Sequence, residues 1–273
     1  MSYDLRGISK VISFLPENYC LDAATYLLDH GTTAIITTGF YITKGRTAET
    51  DGPPGAIALS IALQRLGWDV TLIVDDYLLP CIESPIAAGL KILSFPLLDR
   101  NLSTAYSANL INDISPSVLI SIERCGINSN GIYTNMRGVD ISEYTPKIDT
   151  MFEFGIPSIG IGDGGNEIGM GAIGIEAKAS GIHLPWSIIP TDHLIAASVS
   201  NWGAYGLLAE VSELTGLPLT PSPSSQAELV KSLARGGAVD GVTGYSAPTV
   251  DSMHHSVSSL VLQRLTSDFR QPF

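Results

Sequence analysis

Basic residues are scarce in this chain: 15 lysines and arginines stand against 27 aspartates and glutamates, a formal net charge of −12. A surface that acidic repels the phosphates of nucleic acids and anionic membranes, so neither is expected as a partner. A small anionic substrate stays in play, because one local arginine outweighs a distant field at contact range. Cysteine is equally thin. Cys20, Cys81 and Cys125 are odd in number, far apart and free of any Cys-x-x-Cys pair, which argues against a disulfide framework or structural zinc. His183, His193, His254 and His255 show no metal-ligand spacing with a cysteine or acid. Long apolar runs are missing too, none approaching the ~20 residues of a bilayer span. The opening Met1-Ser-Tyr-Asp-Leu-Arg6 carries neither a secretory nor a presequence pattern. A reducing cytoplasm is the expected location. The absence of Gly-x-x-x-x-Gly-Lys-Ser/Thr excludes a P-loop.

What the chain does have is a globular balance, 45% hydrophobic and 15% charged over 273 residues, enough for one sizeable core. Short apolar, β-branched runs recur at 34–38, 70–74, 91–95, 118–122, 158–161 and 194–199. Each is bounded by Gly, Asp or Pro, the look of strands buried on both faces of a parallel sheet. Helical patterns fall between them, at 18–29, 54–66, 107–114, 141–154, 205–215, 226–234 and 249–265. The second begins at proline and stops before Gly67, the usual asymmetry of helix punctuation. Strand alternating with helix predicts an open, mostly parallel α/β sheet with helices on both faces, Rossmann-like in its three layers. A proline-rich stretch at 217–225 introduces a helical section, 217–273, within what reads as one domain over 1–273.

Polar groups cluster where the predicted strands end: Thr37-Thr38-Gly39, Asp75-Asp76, Glu123-Arg124 and Gly162-Asp163-Gly164-Gly165. Open α/β sheets bind ligands beyond the carboxyl ends of their strands, so these groups should converge on one site. The densest of them is Gly160-Ile-Gly-Asp-Gly-Gly-Asn-Glu-Ile-Gly-Met-Gly171, six glycines in twelve positions around Asp163, Asn166 and Glu167. Such a segment can turn sharply and approach a ligand closely. Its Gly-x-Gly-x-x-Gly spacing matches the dinucleotide fingerprint only formally. No second strand ending in an acid follows about 20 residues on, so NAD(P) or FAD is not expected.

Asp163, Asn166 and Glu167 read either as oxygen ligands for Mg²⁺ or Mn²⁺ or as acid, base and positioning groups. Glu49 and Asp51 precede the helix at 54–66, where they serve as cap and dipole partners or as site acids. Arg124 and Arg137 are candidate carboxylate clamps through their bidentate forks. Asn135 is a candidate orienting amide beside them. Cys125, next to Arg124, reads as a small apolar residue rather than an activated thiol.

Four blocks of the chain resemble the C-terminal domain of D-glutamate cyclases. They are Glu49-Thr-Asp-Gly-Pro-Pro-Gly-Ala56, Glu123-Arg124 with Tyr133-Thr-Asn-Met-Arg-Gly-Val-Asp-Ile141, the glycine-rich segment 160–171, and Gly241-Val-Thr-Gly244 with Thr249-Val-Asp251. The family pattern tends to glycine after Val250-Asp251, where this chain has Ser252. The resemblance implies reversible dehydration of D-glutamate to 5-oxo-D-proline. In that reading Asp163, Glu167 and Glu123 move protons. Arg137, Arg124, Asn135, Asn166, Glu49, Asp51, Thr243 and Asp251 bind substrate, and Gly162, Gly164 and Gly165 offer N–H groups near it. The animal mitochondrial form fuses this domain to a hydro-lyase-like one. A small-anion binding module working with a separate hydro-lyase is therefore the alternative, and self-association is left open.

Overall fold

Six runs of aliphatic and β-branched residues pair side by side in a computed structural model that describes residues 7–82 and 85–267. They are β1 (Thr33–Thr38), β2 (Asp69–Val74), β3 (Lys91–Ser94), β4 (Val118–Ile122), β5 (Ser158–Gly162) and β6 (His193–Ala196). The sheet order is β3-β2-β1-β4-β5-β6, and all its pairings are parallel. Near-continuous hydrophobicity is explained by this geometry, since both faces of every central strand are covered. The segment Met1 to Arg6, read above for leader patterns, lies outside the described residues.

Beyond a single helical turn at Ser9–Ile12, the helices are α1 (Tyr19–Asp29), α2 (Pro53–Arg65), α3 (Arg100–Ile114), α4 (Gly174–Ala179), α5 (Ser200–Thr215), α6 (Pro223–Arg235) and α7 (His255–Ser267). One sheet face, through Ile36, Leu72, Ile120 and Ile161, shares a core with α1, α2, α5, α6 and α7. On the other, Ile35, Ile73 and Leu119 pack under α3 and a 3-10 turn at Ile148–Glu153. Alternate residues of one strand thus feed opposite cores, as the period of a strand requires. Local signals set the helix starts. Proline stands at the start of α2 and α6, the Asp99 side chain accepts from Leu102 N–H to cap α3, and Ser222 caps α6 through Ser225 N–H.

Two expected helices differ from what is there. Over 141–154 only the 3-10 turn forms, because Pro146 lacks an N–H and drives the residue before it out of the helical region. At 249–265 the first residues instead make a small antiparallel pair, Thr249–Val250 with Met253–His254, and α7 starts only at His255. Its turn holds Asp251 at φ 49° and Ser252 at φ 63°. Left-handed backbone of this kind favours glycine, which accounts for the family's preference at position 252. The predicted helix at 107–114 is longer, reaching back to Arg100, and of the stretch 217–225 only the part up to Ser222 is a connection, since α6 already begins at Pro223.

The order β3-β2-β1-β4-β5-β6 reverses direction between β1 and β4. Crossovers from these two strands run to opposite faces, leaving a crevice at their carboxyl ends.

Candidate active site

The crevice is built from the segments that leave β1, β4 and β5. Past β1 the chain makes a tight hairpin, Tyr41–Ile42 with Thr47–Ala48, and returns as Glu49-Thr50-Asp51 to the start of α2. Asp51 does not face outward. Its Oδ1 accepts from Gly52 N–H and Asn201 N–H and its Oδ2 from Ser200 N–H, each at 2.9 Å. The carboxylate therefore satisfies the exposed donors at the start of α5, where a negative charge is also favoured by the helix dipole. Asn201 reciprocates, its Oδ1 accepting from Gly52 N–H and Gly55 N–H at the start of α2. Two helix starts are thereby laced together beneath the crevice.

Glu123 follows β4 with φ 47°, a left-handed conformation rare for a residue with a side chain. Its Oε2 accepts from the Ser200 hydroxyl. Gly52, at φ 90°, leaves room for this arrangement: a Cβ there would stand 2.6 Å from both Glu123 Cβ and Thr38 Oγ1. Asp163 follows β5. Oxygen atoms of Asp51, Glu123 and Asp163 all lie within 4.8 Å of one another, and all three residues are buried.

In the glycine-rich segment the N–H groups of Gly164 and Gly165 donate to Glu167 Oε1 and Oε2, each at 2.8 Å. These N–H groups are thus turned to their own loop rather than offered to a ligand. Gly162 packs against the same side chain, a Cβ there falling 2.9 Å from Glu167 Oε2. Asn166 Nδ2 donates to Thr134 O at 2.8 Å, tying the loop to the segment that carries Arg137. Among the histidines, cysteines and acids of the described residues, the group close enough to hold a cation is Asp51, Glu123 and Asp163, which shares Asp163 with the expected set of Asp163, Asn166 and Glu167.

A cavity of ≈ 80 Å³ opens here, lined in part by Glu49, Glu123, Glu167, Asn135, Asn166 and Arg137. Pockets that bury a drug-sized ligand run to about 300–1,000 Å³, so this one suits a molecule of amino-acid size. Asp51 and Asp163 do not line it and meet it through Glu123. Asn135 Oδ1 accepts from Arg137 N–H and Val139 N–H, shaping the turn that presents Arg137 to the cavity. Glu49 is backed by Gly241, where a Cβ would stand 1.9 Å from Glu49 Oε2; only glycine permits that approach.

Other expected residues fall elsewhere. Arg124 is 1% exposed and donates to Asp75 Oδ2 at 2.8 Å, Gly39 O at 2.7 Å and Pro146 O at 3.0 Å. Its two terminal nitrogens are engaged inside the chain, and the residue is not on the cavity lining where a substrate clamp was expected. Thr243 and Asp251 are not on the cavity lining, although Val242 and Gly244 are; Thr243 O accepts from Lys44 Nζ at 2.6 Å. Burial pushes the Cys125 thiol up, which agrees with its reading as an inert apolar residue. Sequence reasoning missed Lys44 and Tyr41 on the lining, which no local pattern marks. It also missed Ser200 and Asn201, whose only signal is a polar pair at the point where an apolar run passes into a helix.

Among the described residues no helix is long and apolar enough to cross a membrane. In fold comparisons, an exopolyphosphatase-related protein from Bacteroides fragilis gives a TM-score of 0.43 at 10% identity, over 94% of this chain and 58% of its own. Domain 2 of a chitinase from Pyrococcus furiosus gives 0.26 at 12% identity, over 91% of each. Neither value supports an inference about function. Sequence comparison is more telling. Human mitochondrial D-glutamate cyclase is 32% identical over 235 residues, covering 76% of this chain but only 38% of the human protein's length. A family model described as "D-glutamate cyclase-like, C-terminal" matches residues 3–266, and with nearly the whole length accounted for, this chain belongs to that family.

Proposed function

We propose that this chain catalyses the reversible dehydration of D-glutamate to 5-oxo-D-proline in the cavity lined by Arg137 and three glutamates. The amino nitrogen attacks the side-chain carboxyl carbon, an N–C bond forms and a C–O bond breaks. The ammonium gives up two protons, and the expelled oxygen leaves with two as water. Net charge is −1 on both sides, so the protein's task is to carry protons from nitrogen to oxygen and to hold the carboxylates. No electrons change hands, so the reaction itself calls for no nicotinamide.

Arg137 binds the α-carboxylate in this reading, with Asn135 fixing the turn that aims it. Glu49 and Glu167 reach the cavity and carry the protons. Glu167, held in place by two N–H donors of its own loop, is positioned to take part in that transfer. Asp163 lies off the lining and is not asked to touch substrate. The observation that supports the reading best is the meeting of Arg137 with Glu49, Glu123 and Glu167 on one small cavity in a chain of this family.

Purified protein supplied with D-glutamate or 5-oxo-D-proline should interconvert them, followed by chromatography of the two species. A correctly folded protein that does neither overturns the proposal. The chain corresponds to only part of the human relative, which favours one second reading, a binding module acting with a separate hydro-lyase. Stabilisation by D-glutamate without turnover supports that reading, and turnover removes it.

A further inference from the structure

We propose that Asp51, Glu123 and Asp163 bind one hard divalent cation of the Mg²⁺/Mn²⁺ class, at a site adjoining the cavity. Three strand-end segments, after β1, β4 and β5, bring these carboxylates to within 4.8 Å of one another, all out of solvent. Like charges gathered this tightly need either a shared proton or a counter-ion among them.

The Thr38 hydroxyl is the independent observation that favours the cation. Thr38 is fully buried, and its Oγ1 has no hydrogen-bond partner among the described residues. Buried hydroxyls ordinarily find one. Thr38 Oγ1 and Glu123 Cβ each stand 2.6 Å from the point a Cβ on Gly52 would occupy, so the hydroxyl lies beside the residue that carries one of the three acids, with no side chain on residue 52 between them. A water held by a cation would give this hydroxyl its partner.

The donors choose the metal. Every ligand in the group is a carboxylate oxygen, which suits Mg²⁺ or Mn²⁺ rather than the softer metals that prefer nitrogen or sulfur. Arg124, next to Glu123 in sequence, is committed to Asp75. Asp51 is also anchored by three backbone N–H groups, so the site is preorganised by the start of α5 rather than assembled on binding. Because Glu123 belongs both to the group and to the cavity lining, a cation here lies against the substrate space. Its use there, polarising the attacked carboxyl group, rests on the proposed function; its binding does not.

Mn²⁺ titrated into chelator-stripped full-length protein, with free Mn²⁺ followed by electron paramagnetic resonance, tests the site without any substrate. One saturable Mn²⁺ per chain is expected, displaced by excess Mg²⁺. Glu123→Gln and Asp163→Asn should each weaken binding by roughly 10–100-fold or more, with Thr38→Val weakening it less. Asp51→Asn is avoided, since its carboxylate also caps α5, and if Asp163→Asn does not fold, Glu123→Gln decides. Absence of saturable uptake by folded wild-type protein overturns the proposal, as does unchanged affinity in the folded variants. Mn²⁺ binding without turnover of D-glutamate would sink the proposed reaction and leave the site standing. Turnover by protein that binds no Mn²⁺ would do the reverse.

Discussion

Glu123 and Arg124 are neighbours in sequence yet enter two buried charge groups of opposite design. Arg124 joins Asp75 at 2.8 Å, both side chains 1% exposed. Its remaining hydrogen bonds go to the carbonyls of Gly39 and Pro146, and Asp75 Oδ1 accepts from Leu78 N–H. The charge is matched within the chain, and of the guanidinium nitrogens only Nε lacks a partner among the described residues. Glu123 instead meets Asp51 and Asp163, three acids of which Glu123 alone also lines the cavity. A pair that balances itself holds loops in place. A cluster of one sign costs stability unless something else enters, and natural sites accept that cost where function requires it.

The largest effect should come from unbalancing the closed pair. Arg124→Met leaves the Asp75 charge buried and unmatched, a loss of about 3–5 kcal/mol. For a domain this size that lowers the melting temperature by roughly 6–20 °C, read by thermal or urea unfolding. Adding Asp75→Leu should recover most of the loss, because the uncompensated charge goes with it. An Arg124→Met protein as stable as the parent would break the contrast at once.

A second closed network lies behind the cavity wall. Tyr133 Oη donates to Asp149 Oδ1 at 2.6 Å, and Arg100 reaches both. Tyr133→Phe leaves buried Asp149 short of a donor, at a cost of about 1–3 kcal/mol. Burial first, then Asp149, push the Tyr133 phenol above its ordinary 10.0. The unfolded chain loses that proton first, so the contribution is intact below pH 10 and declines as pH climbs beyond it. Denaturant midpoints measured across alkaline pH should therefore fall more steeply in the parent than in Tyr133→Phe. Equal slopes would detach Tyr133 from the network.

The like-charged group should respond in the opposite sense. Without metal, Asp163→Asn takes one of three crowded acids out of the group and should raise stability by roughly 0.5–2 kcal/mol. The same substitution should lose the thermal shift that Mn²⁺ gives the parent. Destabilisation of the metal-free protein by Asp163→Asn would mean that this carboxylate is structural, like Asp75. The smallest change in stability belongs to Arg137→Ala, on the cavity lining, within about ±0.5 kcal/mol. KM for D-glutamate should nevertheless rise, with kcat little altered, if Arg137 binds ground and transition states alike. An unaltered KM would take Arg137 out of substrate binding.

Much of the architecture was legible before any coordinates. Apolar runs such as 118–122 read as strands covered on both faces, and proline at the start of α2 with glycine after it marked both ends of that helix. Even the meeting of strand ends could be anticipated, since alternating strands and helices place every β-to-α turn on one edge of the sheet. These features are local, or follow from a rule about handed crossovers that needs only the element order.

The roles of individual polar residues were not legible, because charge and shape look the same in sequence whether a side chain faces a ligand or its own backbone. Arg124 reads as a clamp until Asp75, 49 residues away, is seen to hold it. Glu167 reads as a free acid until two glycine N–H groups of its own loop close on it. Asp51 reads as a cap for the helix it precedes. It caps α5 instead, 150 residues on, because the sheet order sets the starts of α2 and α5 side by side. Periodicity and punctuation fix which face of an element is buried. Which polar groups then find partners depends on distances between segments far apart in the chain, and only the folded arrangement sets those.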